Sequence, residues 1–434
     1  MDDNAAKRSL PKLGPPCTYE STADSQSAQQ LDFWQKNAVG TAGENNVLSM
    51  YLKASGLGKF DCEYEVWAIN ESTQDLGYLT HGIMRFFGKF PPPVATRFIH
   101  EIHDPRIGPV VDPMVGSGTT LVEAILAHRS AIGFDANPFS VLLSKVKTTP
   151  VTTQIIEEAL SKMQAIECSE EMLNRIIPKD RFLYHWFYQE TVEALARLRL
   201  KIELVECEES VKNLLLLALG SIIRRSSRAS NNLARLFLDP AKPPLGVEDV
   251  FSKQVRRIAK STQALWQLRP QVEVTLHDSR QSFPTDDFTN LVICHPPYFN
   301  VCKYASVLKY ELLWIGADYL SARIRELRDG FKIGKAELVS SYVEDMALVI
   351  LNCSKILVSG GWLILMIGDT EIQGKRIQTS LMVAERAVNL GLKLRRVIFR
   401  VPKYTEASYA ATQRRTAAEV GVKFADHLLV FEKV

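Results

Sequence analysis

Apolar positions along this chain follow two periods. Short runs with strand character recur as VVD (110–112), AIGFD (131–135), VEVTLHD (272–278), TNLVICH (289–295), GWLILMIGD (361–369), LKLRRVIFRV (392–401) and HLLVFEK (427–433). Between them, VATRFIHEI, TTLVEAILAH, SYVEDMALVILNCSKIL and TSLMVAERAVNLG carry apolar residues every three or four positions, the spacing of an amphipathic helix. Strands alternating with helices predict a doubly wound α/β fold, a mostly parallel Rossmann-like sheet covered on both faces. No convincing helix separates the last two strands, so they are expected to close the sheet as an antiparallel hairpin. Residues 151–270 read almost wholly as helix, as in TVEALARLRLKIELVE and VKNLLLLALGSII, and interrupt the alternation as a helical insertion. The expected organisation is a mobile tail over 1–30, a first part of the catalytic domain over 31–150, the insertion over 151–270 and the rest of the catalytic domain over 271–434. Within 31–80 the pattern supports little beyond some helix.

Composition narrows the class. Of 434 residues, 46% are hydrophobic and 23% charged, which suits a packed globular protein. The formal net charge is only +3, so affinity for nucleic acid must come from local basic patches. Seven cysteines without a C-x-x-C pair argue against a disulfide framework or a structural zinc, and no metal is expected. The first residues lack the apolar core of a secretory signal. The longest apolar stretch, LLLLALGSII (214–223), is far short of the ~20 residues that span a bilayer. These features lead us to expect a cytoplasmic protein with no membrane partner.

Candidate chemistry begins at DPMVGSGTT (112–120). Gly116 and Gly118 permit a sharp turn and close approach of a ligand, and Thr119 opens a helix whose amides can receive a polar group. The segment lacks the G-K-[ST] of a phosphate loop and the G-x-G-x-x-G of a dinucleotide site. Asp112 at the strand tip would repel a pyrophosphate and suits a cationic amine. Asp135, ending the next strand, stands where acids bind ribose hydroxyls in such folds. An amine and a ribose together point to S-adenosylmethionine. Further along, HPPY (295–298) ends a strand with His295, two prolines that lack amide donors but keep their carbonyls, and a flat ring. These parts suit a planar base with an exocyclic NH₂, whose lone pair must be driven onto nitrogen before it can take a methyl group.

On these segments the sequence resembles the amino-group DNA methyltransferases, which modify cytosine N4 or adenine N6. DPMVGSGTT resembles their first cofactor motif, GFDANP their second-strand motif, and HPPY their [Asp/Asn/Ser]-Pro-Pro-[Tyr/Phe/Trp] motif. THGIMRFFGKFPPP (80–93), HPPYFNVCKYASVLKYELLWIG and GDTEIQG extend the likeness to roughly residues 80–150 and 270–434. The resemblance implies that Asp112, Gly116 and Gly118 hold the methionine end of the cofactor, Asp135 its ribose, with Asp278 near its adenine. Pro113, Thr119 and Asn137 complete the expected cofactor set, and Lys89 and Phe90 close the pocket. His295, Pro296, Pro297 and Tyr298 form the catalytic set, with Pro296 and Tyr298 on the target base. His295 departs from the family pattern: a neutral imidazole can accept a hydrogen bond, whereas an imidazolium would oppose the reaction. Cytosine-C5 chemistry is disfavoured, because Cys294 precedes His295 rather than following a proline.

A base inside a duplex must be flipped out to react, so the rest of the double-stranded DNA needs a hold. IIRRSSRASNNLARLF (222–237), with Arg224, Arg225 and Arg228, and KYTEASYAATQRR (403–415), with Lys403, Arg414 and Arg415, have suitable composition. The "PPY-x-N" context places cytosine N4 slightly ahead of adenine N6. The rivals are an RNA amino-group methyltransferase and a catalytically weak nucleic-acid-binding relative. A cognate restriction enzyme is an additional candidate partner.

Overall fold

The computed structural model describes residues 44–69, 75–102, 108–231, 236–299, 303–327, 337–372, 375–402 and 425–434. Its frame is an eight-stranded sheet. In chain order the strands are β1 (Glu63–Ile69), β2 (Val110–Asp112), β3 (Ala131–Asp135), β4 (Val272–Leu276), β5 (Thr289–Cys294) and β6 (Leu357–Gly368). A two-stranded side hairpin follows, β7 (Thr370–Ile372) with β8 (Lys375–Ile377), and then β9 (Leu392–Pro402) and β10 (Asp426–Lys433). The sheet order is β1-β9-β10-β6-β5-β2-β3-β4. β10 runs antiparallel to both β6 and β9, and every other pair is parallel. The α/β class, the mostly parallel sheet and the closing antiparallel hairpin are therefore as the hydrophobic pattern predicts.

The central strands VVD and TNLVIC are buried along their whole length, because helices cover both faces and leave no solvent side to alternate towards. On one face lie α2 (Pro92–Glu101) and α3 (Thr119–Leu126), whose Phe98 and Leu121 share a core with Val110 and Leu291. On the other lie α1 (Glu44–Ser55), α14 (Glu337–Ile356) and α15 (Thr379–Asn389), packed through Met346, Ile350 and Val383 against Val292 and Leu365.

Following β3, α4 (Pro138–Thr148) is capped by Asn137, whose side chain accepts from the Phe139 amide, with Pro138 at the first helical position. Six further helices then run to Gln263: α5 (Thr153–Gln164), α6 (Glu170–Ile176), α7 (Leu183–Trp186), α8 (Gln189–Leu204), α9 (Glu209–Ser226) and α10 (Val247–Gln263). Their core is continuous with Phe139 and Leu142 of α4 and with Leu312 and Trp314 of α12 (Lys309–Trp314), which follows the short α11 (Tyr304–Val307). Beyond α12 stands α13 (Tyr319–Arg325), capped by Asp318. No helix among the described residues is long and apolar enough to cross a membrane.

Two elements depart from the sequence reading. Residues 63–69, expected to hold little but helix, form β1 and extend the sheet beside β9. From exposed Glu63 to buried Trp67 the burial rises without alternating, so no period-2 signal marks these residues. β6 also starts earlier than GWLILMIGD suggests. It begins at Leu357, with a register shift opposite Thr289–Leu291 and Gly360 at φ +75°.

Candidate functional site

The site lies at the carboxyl ends of β2, β3 and β5, the usual binding edge of an open α/β sheet. A cleft of about 830 Å³, counting the space at its open mouth, is lined there by Asp112, Gly116, Asp135, Asn137, Asp278, His295 and Pro297, among others.

Its floor is the turn from β2 into α3. Gly116 and Gly118 sit at φ +48° and +72°, and a Cβ on Gly118 would fall 2.8 Å from Ser144 Oγ on α4, so only glycine fits. The Val115 amide donates to the Phe134 carbonyl at 2.9 Å, which ties the turn to β3. Asp135 reinforces this: its carboxylate accepts from the Gly116 amide at 2.9 Å and the Asn137 amide at 2.8 Å. Asp112 accepts from the Met114 amide at 3.0 Å. Burial pushes Asp112 up to about 7, against hydrogen bonds from Thr120 and Met114 that favour its charge. Burial likewise pushes Asp135 up to about 6. Both carboxyls titrate near neutrality, so an incoming cation would favour their ionised forms, with any proton released to water.

Behind the turn is a buried polar knot. Glu123 of α3 accepts from the Tyr78 hydroxyl at 2.6 Å, lies 2.7 Å from His81 Nε2 and accepts from Thr96. Lys147 of α4 donates to the Ser117 carbonyl at 2.6 Å. Burial pushes the Glu123 carboxyl up to about 7 and the Lys147 ammonium well down.

The walls follow the sequence expectations in part. Asp135, Asn137 and Asp278 line the cleft, as do Pro113, Gly116 and Phe90. Asn137 keeps its Nδ2 buried without a hydrogen-bond partner, a donor for an acceptor on a bound ligand. Asp278 is paired with Arg280 at 2.6 Å. Burial opposes its charge, but the Arg280 hydrogen bonds and charge prevail and hold the carboxyl below its ordinary value. Thr119 is buried beneath the turn, 3.2 Å from Ser117 Oγ, and is not part of the lining. Lys89, expected to close the pocket, turns its ammonium instead to the carbonyls of His81 (3.0 Å) and Leu76 (3.4 Å). Phe86 and Tyr304, missed in the sequence, stack at 5.5 Å and also line the cleft. Both sit inside the segments THGIMRFFGKFPPP and HPPYFNVCKYASV, so the signal was the aromatic content of those segments.

The HPPY turn leaves β5 along the same cleft. His295 and Pro297 line it, whereas Pro296 and Tyr298 are buried and do not. The sequence reading left both proline carbonyls as acceptors. The Pro297 carbonyl already accepts from the Tyr342 hydroxyl at 2.8 Å, which anchors the turn to α14. The Tyr298 hydroxyl donates to Asp426 at 2.9 Å. The Cys294 thiol is buried, and that burial pushes its pKa well above the ordinary value, so it is no nucleophile.

Among the basic candidates, Arg225 is exposed at the end of α9. Arg224 is half-buried and donates to the Val307 carbonyl at 3.2 Å. Arg228 donates to the His185 carbonyl at 3.3 Å and lies over the Tyr188 ring. Lys403, Arg414 and Arg415 lie outside the described residues.

Known proteins are similar to parts of this sequence. The DNA methylase family model N6_N4_Mtase matches residues 22–145, which contain the glycine turn, Asp112 and Asp135. The chain is 25% identical over 261 residues to the Type II methyltransferase M.MvaI of Kocuria varians, covering 53% of this chain and 57% of that protein. It is 30% identical over 105 residues to the Type II methyltransferase M.MjaII of Methanocaldococcus jannaschii, covering 24% of this chain and 19% of that one. The chain thus spans little more than half of the first relative's length and a fifth of the second's. A solved geranyl diphosphate methyltransferase in complex with GPP and sinefungin aligns over 94% of this chain and 99% of its own, at 9% identity and a TM-score of 0.35, too low to carry an argument. The family match covers less than a third of the chain, and over that part and the stretches shared with the two Type II relatives the chain is similar to the amino-group DNA methyltransferases.

Proposed function

We infer that this chain transfers a methyl group from S-adenosylmethionine to the exocyclic amine of a base in double-stranded DNA, with cytosine N4 ahead of adenine N6. The observation that carries the reading is the shared cleft: Asp112 at the glycine turn, Asp135 at the end of β3 and His295 from the HPPY turn line one space. The donor set fits the cofactor. Asp112 matches its ammonium, Asp135 its ribose hydroxyls, and the unpartnered Asn137 Nδ2 an acceptor on it. Bound there, the cofactor supplies an electrophilic methyl on a sulfonium.

His295, as a neutral imidazole, accepts a hydrogen bond from the target amine and so moves electron density onto its nitrogen. With the cofactor held by Asp112, Asp135 and Asn137, that nitrogen would take the methyl as the carbon–sulfur bond broke. The surplus amine proton leaves through the imidazole to water. The buried Pro296 and the Tyr342 anchor on the Pro297 carbonyl hold the turn from which His295 meets the amine, and placement supplies much of the rate. The order of the two bases rests on the sequence context Pro296-Pro297-Tyr298-x-Asn300.

The test is transfer of labelled methyl from the cofactor to duplex DNA, followed by identification of the nucleoside. N4-methylcytosine supports the full reading, and N6-methyladenine supports the chemistry while reversing the order of bases. Label in RNA and not in DNA would move the assignment to the RNA enzymes.

A further inference from the structure

His295 is larger than the Asp, Asn or Ser usual at its position in this family, and an imidazole can present either an edge or a face to the cleft. Its surroundings select between these. The ring lies 5.3 Å from Phe90, tilted by 40°, and 5.4 Å from Tyr298, edge-on at 83°. Both neighbours are themselves buried. Tyr298 is fixed at two points. Its ring lies over Gly368 at the end of β6, where a Cβ would fall 2.7 Å from Tyr298 Cε2, so any side chain there would push the ring away. Its hydroxyl donates to Asp426 at 2.9 Å. Asp426, the first residue of β10, is paired across the sheet with Gly368 on one side and Arg400 on the other, and its carboxylate meets the Arg400 guanidinium at 3.3 Å. Arg400, Asp426, Tyr298 and His295 thus form one chain of contacts. It leads from the antiparallel closing strands to the imidazole in the cleft.

The geometry points to a positioning device: Tyr298, held by Asp426 and Arg400, sets the angle at which His295 meets the target amine. In this role the tyrosine ring serves the histidine rather than the base, which is consistent with its absence from the cleft wall. Asp426 and Arg400 touch neither cofactor nor base and act only through Tyr298. The inference rests on the reading of His295 as the residue that engages the amine.

The test uses the full chain with Tyr298→Phe, which keeps the ring and removes the hydroxyl, and Asp426→Ala, alone and combined. Histidine-labelled protein gives the His295 imidazole resonance, assigned by its loss in His295→Asn. Calorimetry with S-adenosylhomocysteine gives cofactor-site affinity, and methyl transfer to duplex DNA gives kcat. Each single variant should shift the His295 resonance and lower kcat about tenfold, a loss of the kind misplacement causes, with affinity for S-adenosylhomocysteine unchanged. The double variant should lose no more than the worse single one, because both act along one path. An unmoved His295 resonance in Tyr298→Phe, or an affinity loss equal to the kcat loss, overturns the proposal. If the wild-type chain transfers no methyl to DNA, the functional reading fails, and the resonance alone then decides whether Tyr298 orients His295.

Discussion

Asp112 carries two consequences that can be measured separately. Its carboxyl is raised to about 7 by burial, so between its unfolded value near 4 and about 7 the folded chain holds a proton that the unfolded chain has released. Its contribution to stability is therefore full below pH 4 and is lost as pH rises through 7, each unit being worth about 1.4 kcal/mol. Ligand-free Asp112→Asn should flatten that part of the decline, as read from urea midpoints at pH 5 and pH 8. A cationic ligand favours the ionised form, so binding of S-adenosylmethionine near pH 6.5 should release protons. Calorimetry in buffers of different ionisation enthalpy checks this, and the same Asn variant should bind roughly 10- to 100-fold more weakly, the scale of a hydrogen bond to a charged group. His295→Ala should behave oppositely. Turnover should fall by roughly 100-fold or more, the scale of a lost acid–base partner, while cofactor affinity holds. At this scale motif position in the sequence pointed to Asp112, Asp135 and His295, and the structure places all three on one cleft. It could not show that the Pro297 carbonyl is occupied, because its partner Tyr342 lies 45 residues away.

The elements explain why the cleft keeps its shape. Glu123 on α3 ties Tyr78, His81 and Thr96 together beneath the glycine turn. Glu123→Ala would strand several buried polar groups, so the chain should lose about 3–5 kcal/mol in urea unfolding, the cost of breaking a buried network by one partner. A surface role for Glu123 would leave the midpoint within a few tenths. α9 offers a second case. Arg224 and Arg225 in its last turn and Arg228 just beyond it read as one basic cluster in the sequence, but their surroundings separate them. Arg224 and Arg228 are tied to backbone carbonyls, and Arg225 is exposed. Arg225→Ala alone should reduce the salt slope of DNA binding by about one, with little effect on folding. Equal slopes for wild type and variant would remove α9 from the interface. Strands buried on both faces announced themselves as apolar runs, and so the central sheet was legible. β1 was not, because an edge strand with mixed exposure leaves no regular period to read.

For the whole molecule, the order of strands brings distant segments to one edge. Residues 112–137 and 278–297 meet because β5 lies beside β2. The last strand, antiparallel between β6 and β9, brings Asp426 to Tyr298, 128 residues apart in the chain. That contact has no local signature, since a lone Asp at a strand start resembles any other. The glycine-turn half of the cleft, by contrast, centres on one continuous βαβ unit and was readable as a motif. The central claim is that these halves form one site for amino-methyl transfer to DNA. Its most direct measurement is the identity of the nucleoside labelled when the chain, labelled S-adenosylmethionine and duplex DNA are incubated together. The account predicts label on an exocyclic amine, as N4-methylcytosine ahead of N6-methyladenine. Label at cytosine C5, or no label in DNA while the cofactor demonstrably binds, would contradict it.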